Sequence, residues 1–316
     1  MRLNRSVSER LARLVQPSDV INVAFVAFLL GVTLCFLDRV ANPRFLIALY
    51  IGMLLCALTL IWFVRSEANP FFYFLRKWYP LAFVVLTFFS LGWLVHYVLP
   101  YDIDSELTRI DYLLFGRHPT VFLSKFMNPY LVDLLAVCYA SFYFLPLIIG
   151  LALYHKRKMR EFDAFVAIVC LGFYLSDAGN LLFPARGPSQ TLIALHTVPL
   201  AGKWVGDFIR TAIYVLEPYR YDCFPSGHVA VTMLTVALAY RFERRLFWRL
   251  LPISIGLIFS TVYLRYHYVM DVAAGALLAG FILAGSEAAQ RMAVRIRQPG
   301  NDRLRFRVYS VDKDIS

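Results

Sequence analysis

Five apolar blocks, each close to the length that crosses a lipid bilayer, constrain this chain more than any other feature. They are Val20–Leu37, Phe45–Val64, Leu81–Leu99, Leu131–Tyr154 and Ala164–Phe183. A spanning helix needs about 20 mainly apolar residues. The bilayer core offers no water to backbone amides, so a segment of this length satisfies them internally as a helix. Three less regular stretches follow: His228–Tyr240, Leu250–Leu264 and Tyr268–Gly285. The expected fold is all-α, a polytopic membrane helix bundle of about eight spans. His228–Tyr240 is short for this role. At 1.5 Å per residue it covers about 20 Å of a core roughly 30 Å thick, so either its start lies sunken in a protein-lined cavity or its inner end continues through Arg241–Arg245, whose side chains can snorkel.

Composition agrees. The chain is 59% hydrophobic and 17% charged, whereas a soluble domain has about 25% charged residues. A net charge of +11 does not indicate nucleic acid here. The basic residues fall in short clusters between apolar blocks, as in cytoplasmic loops of membrane proteins. With a cytoplasmic N-terminus, the inside segments collect most of the 32 lysines and arginines. Arg2, Arg5, Arg10 and Arg13 come first, Lys156, Arg157, Lys158 and Arg160 later, and the tail after Gly285 last. Both termini are therefore expected in the cytoplasm. No cleavable leader is expected, because the first apolar run is long enough to span and no small-residue cleavage site follows it. The cysteines make neither a disulfide framework nor a metal spacing.

Three regions are expected: residues 1–100, a three-span region of no evident role; 101–290, a helix bundle whose catalytic character the clusters and the resemblance given below imply; and 291–316, a basic cytoplasmic tail. The outer face receives two long connections, Pro100–Tyr130 and Pro184–Gly227. Within the second, Trp204–Leu216 alternates apolar and polar groups, as a helix lying in the interface does. Small residues at Ala276, Gly280 and Ala284 of the last span suggest a close-packing face.

Three polar clusters map to the outer side. Phe183-Pro184-Ala185-Arg186-Gly187-Pro188 is a rigid turn around one arginine, whose planar fork of donors matches phosphate oxygens. Phe224-Pro225-Ser226-Gly227-His228 opens the sixth span. Ser226 or Gly227 can cap it, the free N–H groups favour an anion, and His228 stands ready to donate a proton. Last, His267 and Asp271 lie four apart, on one helix face. Asp271 can hold one ring nitrogen and leave the other as a nucleophile. Together the clusters supply charge neutralisation, an anion cradle, an acid and a nucleophile, the needs of phosphoryl transfer. The expected catalytic residues are His267, His228 and Asp271, and the expected phosphate-binding residues are Arg186, Ser226, Gly227 and Arg265. The substrate is a lipid-linked phosphate drawn from the surrounding membrane lipids, with water, an alcohol or a sugar as acceptor. No cofactor is expected. Two other readings have less support. A catalytic zinc on His228, His267 and Asp271 would sit beside repelling arginines. A transporter using Asp177, His96 and Asp133 as relays would show an internal repeat, and none is visible.

These residues resemble the type 2 phosphatidic acid phosphatase superfamily. Its first motif is a lysine followed by an arginine-proline pair. Its second, Pro-Ser-Gly-His, is matched at Pro225-Ser226-Gly227-His228. Its third is a serine-arginine and then His-x-x-x-Asp, matched in its second half at His267 to Asp271. The resemblance covers roughly Asp102 to Gly285. It implies a phosphatase or phosphotransferase working on the extracytoplasmic side, in the cytoplasmic membrane of a prokaryote. Two of the family's cation positions differ: the lysine place holds Gly179, and the arginine place six before the histidine holds Thr261, with Arg265 nearby as a substitute. Arg186 is followed by Gly187 before Pro188. The wording Tyr263-Leu264-Arg265-Tyr266-His267-Tyr268, with Asp111, Phe115-Gly116 and Pro119 upstream, is similar to the inositol phosphorylceramide synthase-like branch, which implies transfer to an alcohol.

Overall fold

The computed structural model describes residues 15–64, 69–216 and 221–297. The basic N-terminal segment and the tail beyond Arg297 lie outside the described residues. The chain is an all-α polytopic membrane bundle. Among the described residues the one β feature is an isolated parallel bridge between Ala185 and Asp222.

The principal helices are α1 (Pro17–Cys35), α2 (Pro43–Phe63), α3 (Pro70–Leu91), α4 (Asp104–Phe115), α5 (Pro129–Ala140), α6 (Leu145–His155), α7 (Met159–Leu182), α8 (Gly206–Leu216), α9 (Gly227–Phe242), α10 (Arg244–Tyr263) and α11 (Val269–Arg297). Several open with proline at the first helical turn, where the missing N–H costs nothing. Among the described residues six helices are long and apolar enough to cross a membrane: α1, α2, α3, α7, α10 and α11 up to Ala289. α5 and α6 form one further apolar pair bent by 47°. Pro146, at the second position of α6, has no N–H to continue the α5 ladder, so the block read as Leu131–Tyr154 is broken rather than straight. α9 is a shorter apolar helix.

The third block is placed differently from its expected Leu81–Leu99. Asn69 caps α3 by accepting from the N–H groups of Phe71 and Phe72, and the helix ends at Leu91 before Gly92. α3 thus carries Arg76 and Lys77 inside its first half. Each is buried and paired. Arg76 Nη1 donates to Asp19 of α1 at 2.7 Å, and Lys77 donates to Asp163 of α7 at 2.7 Å. A buried unpaired cation would be costly, so these pairs set the rotation of α1 and α7 about α3. Asn22 and Tyr174 add a 2.6 Å bond between α1 and α7. The N-terminal helices are thereby fixed to α7, which leads into the Arg186 turn.

α11 packs by a stripe other than the expected one. Gly280 and Ala284 are exposed, and a Cβ placed at Gly280 would meet no atom within 4 Å. Asp271, Gly275, Ala279 and Ile282 are buried instead. At Gly275 a Cβ would come within 2.5 Å of the Ser226 carbonyl, so glycine lets α11 press on the start of α9. The phase of α11 is set by Asp271, which is fully buried.

Candidate active site

The site is built where three connections meet above α9. Ala185 and Asp222 form the bridge, with Cys223 N donating to Ala185 O at 3.1 Å. Ser189 N donates to Arg265 O at 2.9 Å. The Arg186 turn, the segment opening α9 and the segment opening α11 are therefore tied by backbone bonds.

α4 braces this assembly from outside. The Asp104 carboxylate accepts from Arg186 N at 2.7 Å, Gly187 N at 2.9 Å and the Tyr268 hydroxyl at 2.9 Å. Two turns on, Asp111 accepts from Val269 N and Met270 N, both at 2.9 Å, which caps α11. Burial raises the pKa of both carboxyls, and the donated N–H groups oppose that rise. Asp133 of α5 does the same for the start of α8, accepting from Trp204 N at 2.9 Å and Gly206 N at 2.7 Å. A relay role for Asp133 has no support in this geometry.

At the centre are the two histidines. His267 Nδ1 lies 2.5 Å from Asp271 Oδ2, and His267 Nε2 lies 3.3 Å from His228 Nδ1. Asp271 accepts the Nδ1 proton, so Nε2 keeps its lone pair and faces His228 Nδ1. Ser226 Oγ is 3.5 Å from the same Nε2 and accepts from Val229 N at 3.3 Å, which makes it the N-cap of α9. All these side chains are buried. The His228 ring is held between Tyr139 and Phe142, at centroid distances of 4.6 and 4.3 Å. His267 lies in the loop before α11. Burial lowers its pKa, and the Asp271 carboxylate, with Asp222 and the Cys223 backbone, raises it, so the net shift is upward.

His267 opens onto a cavity of about 570 Å³, lined also by Arg186, Arg210, Asp222, Cys223 and Tyr139. Arg186 is partly exposed there and pairs with Asp102 at 2.8 Å. Arg210 was not among the expected residues. It comes from α8, where Asp207, Arg210, Thr211 and Tyr214 fall at helical spacing and all line the cavity. That spacing was the available signal in Trp204–Leu216.

Residues 105–285 match the sequence model of the PAP2 superfamily. The chain belongs to that superfamily. It is 28% identical over 102 residues to a PA-phosphatase related-family protein of Dictyostelium discoideum, a stretch that is 31% of this chain and 18% of that one. It is 23% identical over 207 residues to an uncharacterized protein of Methanocaldococcus jannaschii, 65% of this chain and 79% of the other. The first of these relatives is thus matched over a small part of its length. No solved structure matches.

The departures from the PAP2 motifs have physical counterparts. The Pro225 ring occupies the space that a Cβ at Gly179 would need, so this backbone has no room for the lysine. Thr261 is buried, and its carbonyl accepts from Tyr266 N and His267 N, both at 2.9 Å. It shapes the turn that presents His267. Arg265, expected to replace a missing cation, has its own partners. Its Nη2 donates to Val198 O at 2.6 Å and Ser124 Oγ at 3.1 Å, and it is absent from the lining of the His267 cavity. Arg210 stands in that cavity instead.

Proposed function

We propose that this PAP2 protein is an integral membrane lipid phosphate phosphatase or phosphotransferase that forms a phosphohistidine on His267. The observation that carries this reading is the ordered pair of contacts at one ring, Asp271 on Nδ1 and His228 opposite Nε2. Nε2 of His267 attacks phosphorus. The phosphorus–oxygen bond to the lipid breaks, and His228 gives its proton to the departing alkoxide. An acceptor hydroxyl then forms a new bond to phosphorus as the nitrogen–phosphorus bond breaks, and its proton passes to His228. Arg186, the Ser226 hydroxyl and the Gly227 N–H hold the phosphoryl oxygens. Arg265 braces the loop before His267, and Arg210 adds a second cation at the cavity.

A lipid substrate suits the setting, since the helices around the site are membrane-spanning in length and composition. The lysine and arginine bias supports cytoplasmic termini and a site on the outer side of a prokaryotic cytoplasmic membrane. Residues 101–290 constitute the catalytic unit in this reading.

A second reading, transfer to an alcohol, is favoured by a second cavity of about 300 Å³ on the His228 side. Phe89, Phe142, Leu147 and Phe173 line it, and it ends on Asp177, Asn180 and His228. Among the described residues Asp177 Oδ2 and Asn180 Oδ1 are buried with no donor, as a site for a hydroxyl-bearing chain requires.

The test is turnover by the purified protein in detergent, supplied with phosphatidic acid and related lipid phosphates, with and without inositol or sugars. Release of phosphate marks hydrolysis, and a new phosphodiester marks transfer. The His267→Ala variant is expected to do neither. Undiminished turnover by that variant contradicts the proposal.

A further inference from the structure

Cys223 is the cysteine that the phosphoryl-transfer scheme leaves without a role. The other four cysteines lie on helices within the apolar blocks, while Cys223 sits in the polar connection that opens α9. Its Sγ lies 3.0 Å from Asp271 Oδ2 and 3.7 Å from His267 Nδ1. Sulfur, ring nitrogen and carboxylate oxygen thus face one another within 4.8 Å. All three side chains are buried, and both Cys223 and His267 border the larger cavity, which gives a path inward. A separate observation points to a ligand. Asp271 is fully buried, yet its Oδ1 has no hydrogen-bond partner among the described residues.

We propose that Cys223 Sγ, His267 Nδ1 and the Asp271 carboxylate form a binding site for a thiophilic divalent cation of the zinc class, and that its occupancy switches the nucleophile off. Thiolate, imidazole and carboxylate are the donor set that zinc takes, with bonds of about 2.0–2.3 Å, and three protein ligands leave a fourth position open. Tetrahedral bonds of that length place donors about 3.2–3.7 Å apart. The sulfur–nitrogen separation already fits, and the two contacts to Asp271 must lengthen by under about 1 Å. The carboxylate can meet the cation with Oδ1 as well as Oδ2. The two arginines do not bar a cation, because Asp102 and Asp104 face Arg186, Asp207 pairs with Arg210 at 3.1 Å and Asp222 shares the cavity.

The proton balance gives the consequence. The Cys223 thiol proton leaves to solvent. The proton on His267 Nδ1 must also go, and in the neutral ring it moves to Nε2. The cation therefore holds His267 in the tautomer whose Nε2 has no lone pair, and that nitrogen cannot attack phosphorus. Binding stands on geometry alone; the inhibitory half rests on the phosphohistidine reading.

Cobalt(II) is the probe for binding. Chelator-treated protein in detergent, given one equivalent of cobalt, is expected to show a thiolate-to-cobalt absorption in the near ultraviolet, and zinc should displace it. The Cys223→Ser and Cys223→Ala variants should lack the band, and a variant with the other four cysteines replaced should keep it. In phosphate release from phosphatidic acid, saturating zinc should lower wild-type turnover at least tenfold, with recovery on chelation. Relative to its own zinc-free rate, either Cys223 variant should need at least tenfold more zinc for half inhibition. No band in the wild type, a band that survives both Cys223 variants, or equal zinc sensitivity overturns the proposal. A wild type that turns over no lipid phosphate counts against the phosphohistidine reading, while the cobalt band still decides the site.

Discussion

His267 Nδ1 and Asp271 Oδ2, four residues apart across the start of α11, stand 2.5 Å from each other in a fully buried contact. The pair fixes which ring nitrogen carries a proton, and a pH prediction follows. The Asp271 carboxylate raises the His267 pKa against burial, so attack by neutral Nε2 should fail on the acid side, below a pKa higher than the ordinary histidine value of about 6.5. In Asp271→Asn the raising charge is gone. The acidic limb of the pH–rate profile should move to lower pH, while the maximal rate drops by about 10²–10⁴ as the tautomer is lost. A variant with a reduced rate and an unmoved limb would make Asp271 a packing residue only.

Arg186 and Arg210 both face the cavity beside His267. Arg186→Lys keeps charge and loses the planar fork, so its kcat/KM for a lipid phosphate should fall about tenfold or more. Arg210→Ala should mainly raise KM. Arg265→Ala should act through stability and lower the melting temperature in detergent, because its donors serve Val198 and Ser124. A normal melting temperature with a raised KM in Arg265→Ala would restore that arginine to phosphate binding.

Asp104 holds three donors at once, two of them backbone N–H groups of the Arg186 turn. Asp104→Ala leaves the two backbone N–H groups unsatisfied in a buried place, while the Tyr268 hydroxyl keeps Thr191 Oγ1 at 2.6 Å. The loss should be about 2–4 kcal/mol of stability, with turnover reduced as Arg186 loses its support. Thermal unfolding in detergent checks the first part and steady-state kinetics the second.

Gly275 lies against the Ser226 carbonyl, with no room for a Cβ. Gly275→Ala should push α11 away from α9 and separate His267 from His228, reducing turnover. Gly280→Ala, where nothing lies near, should leave turnover unchanged. Equal effects at the two positions would mean that the buried stripe of α11 has been misplaced.

Much of this was legible in the chain because the bilayer leaves few choices. Long apolar blocks announce helices, and the helix-opening Ser226-Gly227-His228 and the His267–Asp271 spacing announce their own geometry. The parts that were not legible depended on phase and long-range pairing. The stripe at Ala276, Gly280 and Ala284 was read from residue size. The burial of Asp271 fixes the phase instead, and it selects Gly275 and Ala279. Pro100–Tyr130 was read as a long outer connection, since nothing local shows that Asp104 and Asp111 reach backbone N–H groups some 80 and 160 positions away. Arg210 was visible as part of an amphipathic segment, and only the packing of α8 over α5 turns it to the cavity. Arg265 looked like a phosphate ligand by proximity to His267 in sequence. Its positive φ of 67° turns the chain there, and its side chain reaches Val198 and Ser124.

The central claim is that phosphorus is carried by His267 and by no other residue. The protein should be mixed with a ³²P-labelled lipid phosphate, quenched within one turnover, digested, and the labelled peptide mapped by mass spectrometry. The account predicts an acid-labile, alkali-stable phosphoryl group on His267, formed more slowly in a His228→Ala variant that lacks the acid for the departing alkoxide. Label on another residue, or rapid turnover with none at His267, would contradict it.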